Sequence, residues 1–159
     1  MTPKYRILDL DNCISDDSWR IKTIDWSKSK PKARYHKYHT LCGFDEAKNH
    51  ELFQDLGETE GIVIFTARPQ YVEIQTREWL KRNVAPFCHL FMRPNNSDAG
   101  SADLKEQFLH SFAKYFPLSL DSISVAYDDR QEVIDMYRSY GVNAIRKEIH
   151  QQNAFKKDK

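Results

Sequence analysis

Asp9 and Asp11 stand two residues apart, where the first apolar run of the chain, Tyr5-Arg6-Ile7-Leu8, gives way to a polar segment. On an extended backbone, side chains at i and i+2 share a face, so both carboxylates can address one small volume. Unpaired charges held that closely are costly away from water, and a cation relieves the cost. The same residue types also suit a plain strand end or a helix N-cap. Three further features follow in order: Thr66-Ala67-Arg68 after the run Gly61–Phe65, the lone lysine Lys105, and Asp128-Asp129-Arg130 after Ile123–Tyr127. Taken singly, Thr66 reads as a strand-end threonine, Lys105 as a solvated helix lysine, and Asp128-Asp129 as an N-cap. Taken together they place carboxylates, a hydroxyl and cations at successive strand ends. Asp9, Asp11, Asp128 and Asp129 are hard oxygen donors. Such donors suit Mg²⁺, which keeps several waters and accepts phosphate as a co-ligand.

These residues need a scaffold, and the apolar periodicity supplies one. Strands are expected over 4–10, 61–65, 89–92, 123–127 and near 143–146. Helices are expected over 43–57 (apolar face Phe44, Ala47, Leu52, Phe53, Leu56), 69–83 (Tyr71, Ile74, Trp79, Leu80), 102–116 (Leu104, Phe108, Leu109, Phe112) and 130–140, with Gly141 as C-cap. Strands alternating with helices imply an α/β three-layer sandwich around a central parallel sheet. Ligands of such sheets bind beyond the carboxyl ends of the strands, where all the suspect residues fall.

The chain has 159 residues, 40% of them hydrophobic and 30% charged, with a formal net charge of +1. That length fits one domain, here residues 1–150, followed by a polar tail over 151–159, and the chain after Glu148 is expected to fray. Global charge names no partner. Cys13, Cys42 and Cys88 are widely spaced and suggest neither a disulfide framework nor a Cys-x-x-Cys metal site. With no apolar leader and no membrane-length run, a cytoplasmic protein, or one in a host cytoplasm if viral, is expected. His36, His39, His50 and His89 lack paired metal-ligand spacing and read as ordinary polar residues.

The order Asp-x-Asp, Thr, Lys, Asp-Asp on successive strands resembles the haloacid dehalogenase superfamily of phosphotransferases, over residues 4 to about 147. Thr66-Ala67-Arg68-Pro69, Met92-Arg93-Pro94 and Tyr127-Asp128-Asp129-Arg130 through Tyr137 are similar to the phosphatase domain of phage-type polynucleotide kinase/phosphatases and their stand-alone viral relatives. The resemblance implies a Rossmann-like fold and a phosphatase. Asp9 is its nucleophile, Asp11 its acid and base, and Thr66 and Lys105 the holders of the phosphoryl oxygens. Mg²⁺ is bound by Asp9, the Asp11 carbonyl and Asp128, with Asp129 positioning its waters or a ligand. It further implies Arg20, Arg68, Arg93 and Arg130 as substrate contacts, with Asp17 beside Arg20. The chain departs from the pattern in carrying Asn12-Cys13 after the second aspartate and Ser101 four before the lysine. It has no Gly-rich P-loop, so no kinase domain is expected within these residues.

An insert over residues 14–57 stands where the superfamily puts its first cap, and is too short for a large one. Within 20–39, Arg20, Lys22, Lys28, Lys30, Lys32, Arg34 and Lys37 face a single acid, Asp25, and Trp19, Trp26, Tyr35 and Tyr38 interleave with them. Cations for phosphates and rings for bases suit a nucleotide or a nucleic-acid end; a solvated loop has the same composition. The readings left open are a phosphatase of nucleic-acid 3′-phosphates or nucleotides, a 5′-nucleotidase, and a non-catalytic nucleic-acid-binding protein on the same fold.

Overall fold

A computed structural model describes residues 3–84, 86–87, 89–115 and 120–151; Cys88 and positions 152–159 of the expected tail lie outside them. The strands are β1 (Lys4–Leu8), β2 (Ser15–Asp16), β3 (Glu46–Ala47), β4 (Glu60–Pro69), β5 (His89–Arg93), β6 (Ile123–Asp128) and β7 (Ala144–Arg146). The helices are α1 (Pro31–Arg34), α2 (His36–Thr40), α3 (Glu51–Gln54), α4 (Glu73–Asn83), α5 (Ser101–Tyr115) and α6 (Gln131–Ser139). Five strands form one sheet in the order β5-β4-β1-β6-β7, and every pairing in it is parallel. β2 and β3 make a separate antiparallel pair.

The pleat sorts the core into two layers. Leu8, Ile62 and Ile64 face Trp79 and Leu80 of α4 and Leu52 and Phe53 of α3. Ile7, Val63, Phe65 and Ala126 face Leu104, Phe108, Leu109 and Phe112 of α5 and Val133, Ile134 and Tyr137 of α6. Neighbouring residues of one strand thus feed opposite layers, and both faces of the sheet are covered, as a parallel sheet requires. The result is the three-layer α/β sandwich expected from the sequence. Gly141 ends α6 at φ +77°, a left-handed backbone that favours glycine. Among the described residues, no helix is long and apolar enough to cross a membrane.

Two expectations fail locally. The helix over 43–57 does not exist; the segment breaks into a 3₁₀ turn at Cys42–Phe44, strand β3 and the single turn α3. Of its expected apolar face, Phe44 is lost to solvent at 79% exposure, while Ala47, Leu52 and Phe53 are buried and Leu56 packs against them. The cause is Asp45, whose side chain is drawn inward. It accepts hydrogen bonds from Ser15 Oγ (2.6 Å), Trp19 Nε1 (2.9 Å) and Arg20 Nε and Nη2 (2.8 and 2.7 Å). A buried ion pair outweighs the few tenths of a kcal/mol per residue that helix propensity offers. In α4 the apolar stripe is Thr76, Trp79 and Leu80, and Ile74 points to solvent at 74% exposure. Residues 70–72 form a 3₁₀ turn before the α-helix begins, so the phase of the helix differs from that of a helix starting at 69.

Asp45 and its neighbour therefore carry opposite loads. Asp45→Ala leaves the buried Arg20 guanidinium short of its main partner and should cost about 3–5 kcal/mol. Phe44→Ser should change stability by less than about 0.5 kcal/mol. Denaturant unfolding of the two variants checks this; equal losses would contradict the assignment.

Candidate active site

β1 lies at the centre of the sheet, flanked by β4 and β6, so Asp9 and Asp128 fall at the carboxyl ends of β1 and β6, and Thr66 lies in the carboxyl-terminal half of β4 on the same edge. Asp9 follows the last residue of β1, and its N–H donates to the carbonyl of Tyr127 at 3.2 Å, which extends the β1–β6 pairing by one step. Asp128 closes β6, and its Oδ1 accepts the backbone N–H of Arg130 at 3.0 Å. That bond turns the chain into α6, so the N-cap reading of Asp128 is met by a local turn and not by a cap of the helix itself.

Asp9, Asp128 and Asp129 each offer a carboxylate oxygen, and the three lie within 4.8 Å of one another. All are buried, as is Lys105. Lys105, in the second turn of α5, donates from Nζ to Asp9 Oδ1 at 2.7 Å and to Asp128 Oδ2. Burial alone would discharge this ammonium, but Asp128 and Asp9 outweigh it and hold its pKa well above the ordinary lysine value. Burial also raises the Asp9 carboxyl, and the charges of Asp128 and Asp129 raise it further while Lys105 opposes them. Asp129 is pushed up to about 6, first by burial and then by Asp128. Three buried acids against one buried ammonium, with the partly exposed Arg130 beside them, is an unbalanced set. The donor set, all carboxylate oxygen, fits a small hard dication that would balance it.

Asp11 belongs to a different neighbourhood. Its Oδ1 accepts from Arg20 Nη2 at 2.5 Å and from Arg68 Nε and Nη2 at 3.0 and 2.8 Å. Burial would raise it, yet Arg20 and then Arg68 win and hold the carboxyl well below the usual range. Both guanidiniums are fully buried and bound on other sides. Arg20 donates to Asp45 and to the Tyr38 carbonyl (2.9 Å), with the Tyr38 ring 4.2 Å from its carbon. Arg68 reaches Ser15 Oγ (2.9 Å) and Thr76 Oγ1 (3.3 Å). A second tier supports this set, for Tyr38 Oη donates to Asp17 Oδ2 at 2.6 Å and Trp79 Nε1 to the Asp45 carbonyl at 2.8 Å.

The remaining residues singled out in the sequence sit as follows. Thr66, Ala67 and Arg68 belong to β4 itself, past a shift in its register with β5, and Thr66 Oγ1 accepts the Arg68 N–H at 3.1 Å. Arg93 directs its donors to the carbonyls of Ala67 (3.1 Å), Ser97 (3.3 Å) and Ala99 (2.6 Å), bracing the loop that leads into α5. Arg130 is partly exposed and pairs with Glu132 at 3.5 Å. The tail expectation needs correction: Ile149 and His150 are tied, not frayed. Their N–H groups donate to Asn12 Oδ1 at 3.0 and 2.8 Å, and His150 Nε2 lies 2.6 Å from Asp17 Oδ1. Sequence reasoning missed Asp45, Ser15, Thr76 and His150. Each acts through a partner more than seven positions away in the chain, and no local spacing reports such a pairing. An acid inside an apolar window, as Asp45 is, was the one available signal.

No protein-family model matches this sequence, and no curated protein matches it. Solved structures do match its shape. A chain of the Pnkp1/Rnl/Hen1 RNA repair complex aligns over 91% of this chain with a TM-score of 0.67 at 20% identity, and this chain spans 42% of its length. A haloacid dehalogenase-like hydrolase from Streptococcus pneumoniae aligns over 97% of this chain and 90% of its own, TM-score 0.63, at 12% identity. YfnB of Bacillus subtilis, a hydrolase of the same superfamily solved with magnesium bound, aligns over 91% and 88%, TM-score 0.64, at 12% identity. The fold is therefore that of the haloacid dehalogenase-like hydrolases, and the chain spans under half the length of the RNA-repair chains it matches.

The two acid groups give opposite pH effects. Asp129 titrates near 6 when folded and near 3.9 when unfolded, so the folded state binds the extra proton between those values. Its contribution to stability therefore falls as pH climbs through that window. Asp11 acts the other way, and its contribution is lost as pH drops below about 3.9. A dication competes with the Asp129 proton, so Mg²⁺ should raise the melting temperature more at about pH 7.5 than at about pH 5. Asp129→Asn should remove most of that difference. Thermal unfolding with and without metal checks it, and equal metal stabilisation at both values would contradict it.

Proposed function

We propose that this protein is a magnesium-dependent phosphomonoesterase that works through an aspartyl-phosphate on Asp9. Its substrates in this reading are 3′-phosphorylated nucleic-acid ends or nucleotides. The observation that carries the reading is the pairing of two unlike carboxylates on one backbone segment. Asp9 is held by Lys105 among acids, and Asp11 by Arg20 and Arg68.

Asp9 attacks phosphorus as the bond to the leaving oxygen breaks. Asp11 protonates that oxygen, and a water then attacks the aspartyl-phosphate as Asp11 takes its proton, releasing inorganic phosphate and restoring Asp9. Two arginines keep Asp11 ionised, which suits the second half. For the first half it must carry a proton, and an incoming phosphate dianion raises its pKa by like-charge repulsion. Lys105 stabilises the anionic form of Asp9, and Thr66 and Lys105 hold the transferring oxygens. Asp9, the Asp11 carbonyl and Asp128, with Asp129 alongside, would hold Mg²⁺, which would supply the positive charge that lets a dianion approach a carboxylate.

The insert supports a nucleic-acid substrate. Trp26, Tyr35 and Tyr38 form a chain of edge-to-face rings with centroids 6.2 Å apart, and Arg34 lies 5.4 Å from the Trp26 ring. Tyr38 is in turn the ring under Arg20. The chain of rings therefore runs from the partly exposed Trp26 to the guanidinium that grips Asp11. Lys28, Lys30 and Lys32 are exposed, and none has an ion pair among the described residues. The likeness in shape to a chain of an RNA repair complex points the same way.

Asp9→Asn should abolish phosphate release from any ester, and Asp11→Asn should cut it by about 10²–10⁴-fold. EDTA should abolish activity and Ca²⁺ inhibit it, because longer Ca–O bonds displace the nucleophile. A screen of 3′-phosphorylated oligonucleotides, 3′- and 5′-mononucleotides and sugar phosphates tests the substrate. Activity confined to 5′-mononucleotides would make the protein a nucleotidase, and oligonucleotide binding with no turnover of any ester would remove the enzyme reading.

The three lysines are tested separately. Replacing Lys28, Lys30 and Lys32 by Gln should weaken use of a 3′-phosphorylated oligonucleotide more than of a mononucleotide. The log–log salt dependence should become shallower by about one unit per lost phosphate contact. Equal losses on both substrates would assign these residues to the fold.

A further inference from the structure

Asn12 occupies the position directly after Asp11 at φ 61°, a left-handed backbone that glycine adopts without strain and asparagine tolerates. Its side chain does what glycine cannot. Nδ2 donates to Asp129 Oδ2 at 3.1 Å and to the His150 carbonyl at 3.0 Å. Oδ1 accepts the N–H of Ile149 at 3.0 Å and of His150 at 2.8 Å. Both donors and both lone pairs of the amide are thereby used, and Asn12 is 1% exposed. The Asn12 carbonyl also accepts the Ile149 N–H at 3.1 Å. The segment that makes these bonds follows β7 directly and is anchored at its other end, where the Lys147 N–H donates to the Asp128 carbonyl at 2.8 Å. His150 then reaches across to Asp17, the acid that Tyr38 holds from the other side.

We propose that Asn12 and the segment Lys147–His150 form a clasp that positions Asp129 for metal binding, with Asn12 as the positioning residue and the backbone of Ile149 and His150 as its anchor. This rests on the metal-dependent reading of the Asp9–Asp128–Asp129 cluster given above. An amide donor aimed at one oxygen of Asp129 leaves the other to face the cluster, and fixes a carboxylate that repulsion from Asp128 would otherwise turn away. The bond costs nothing in net charge, whereas a second cation at that place would compete with the metal. The clasp also closes a loop between the first strand and the last, 138 positions apart in sequence. The turn that carries Asp11 is therefore held by residues from the far end of the chain.

Magnesium titration calorimetry on the full chain, without substrate, tests the clasp. Asn12→Gly keeps the left-handed backbone and deletes the amide. His150→Pro keeps Asn12 and deletes one of the N–H donors together with the imidazole. Each should weaken Mg²⁺ binding by about tenfold or more, and the double variant should be no weaker than the worse single, because both remove one connected set of bonds. His150→Ala, which spares both N–H donors, should fall between wild type and His150→Pro and serves if the proline variant does not fold. Melting curves without metal show which variants are folded. Wild-type affinity in Asn12→Gly, or strictly additive losses in the double variant, would overturn the clasp while leaving the phosphatase reading intact. A wild-type chain that turns over phosphate esters without binding Mg²⁺ would instead overturn the metal reading, and the clasp's role with it.

Discussion

Charge must balance where water is scarce, and this constraint organises the carboxyl edge of the sheet. Six acids, Asp9, Asp11, Asp17, Asp45, Asp128 and Asp129, gather there with three cations, Arg20, Arg68 and Lys105. A buried ion pair seldom stabilises a fold relative to apolar side chains of the same size, because desolvation consumes most of the attraction. The cluster is thus poorly explained as a device for stability. What it does provide is a set of carboxylates whose positions and charges differ. Arg20 and Arg68 pair with Asp11 and Asp45, while the buried Lys105 and the partly exposed Arg130 face the three acids Asp9, Asp128 and Asp129. The surplus negative charge is concentrated on one side of β1, beside β6, and that is the side that can hold a dication.

How far the sequence revealed this depends on the range of the interactions involved. The strands and α5 were legible because their apolar period is local and strong: Leu104, Phe108, Leu109 and Phe112 all face the core as the spacing requires. Asp9, Thr66, Lys105 and Asp128 were legible because each stands at a fixed place relative to such an element. The segment 43–57 was not, since its conformation is set by Asp45 reaching residues 15 and 20. The same holds for Ile149 and His150, which open a segment expected to fray and owe their order to a partner at position 12. Ile74 failed for a smaller reason, a helix that starts four residues late and so rotates its inner face onto Thr76.

Arg20 shows how a residue can be found for one role and placed in another. A basic residue in an aromatic, cationic insert reads as a contact for phosphate. In the fold its guanidinium is fully enclosed, with every nitrogen bonded to protein, to Asp45, Asp11 and the Tyr38 carbonyl. It therefore acts on Asp11 and not by projecting into solvent. Because Tyr38 stacks on it and Tyr35 and Trp26 continue the row outward, the insert is mechanically joined to the end of β1.

That joining bears on how Asp9 and Asp11, two residues apart on one strand end, come to differ so strongly. Backbone geometry would make them alike; their partners separate them. Asp9 looks toward β6 and α5, where acids and burial push its proton affinity up. Asp11 looks toward β4 and the insert, where two guanidiniums push it down. Two carboxyls driven apart in this way can divide the work of a displacement at phosphorus, one bonding to the phosphoryl group and the other exchanging protons with the oxygens on either side of it. The division follows from strand order. β1 is flanked by β4 on one side and β6 on the other, so side chains leaving its end meet arginine in one direction and aspartate in the other. Moving either neighbour would erase the difference between the two carboxyls.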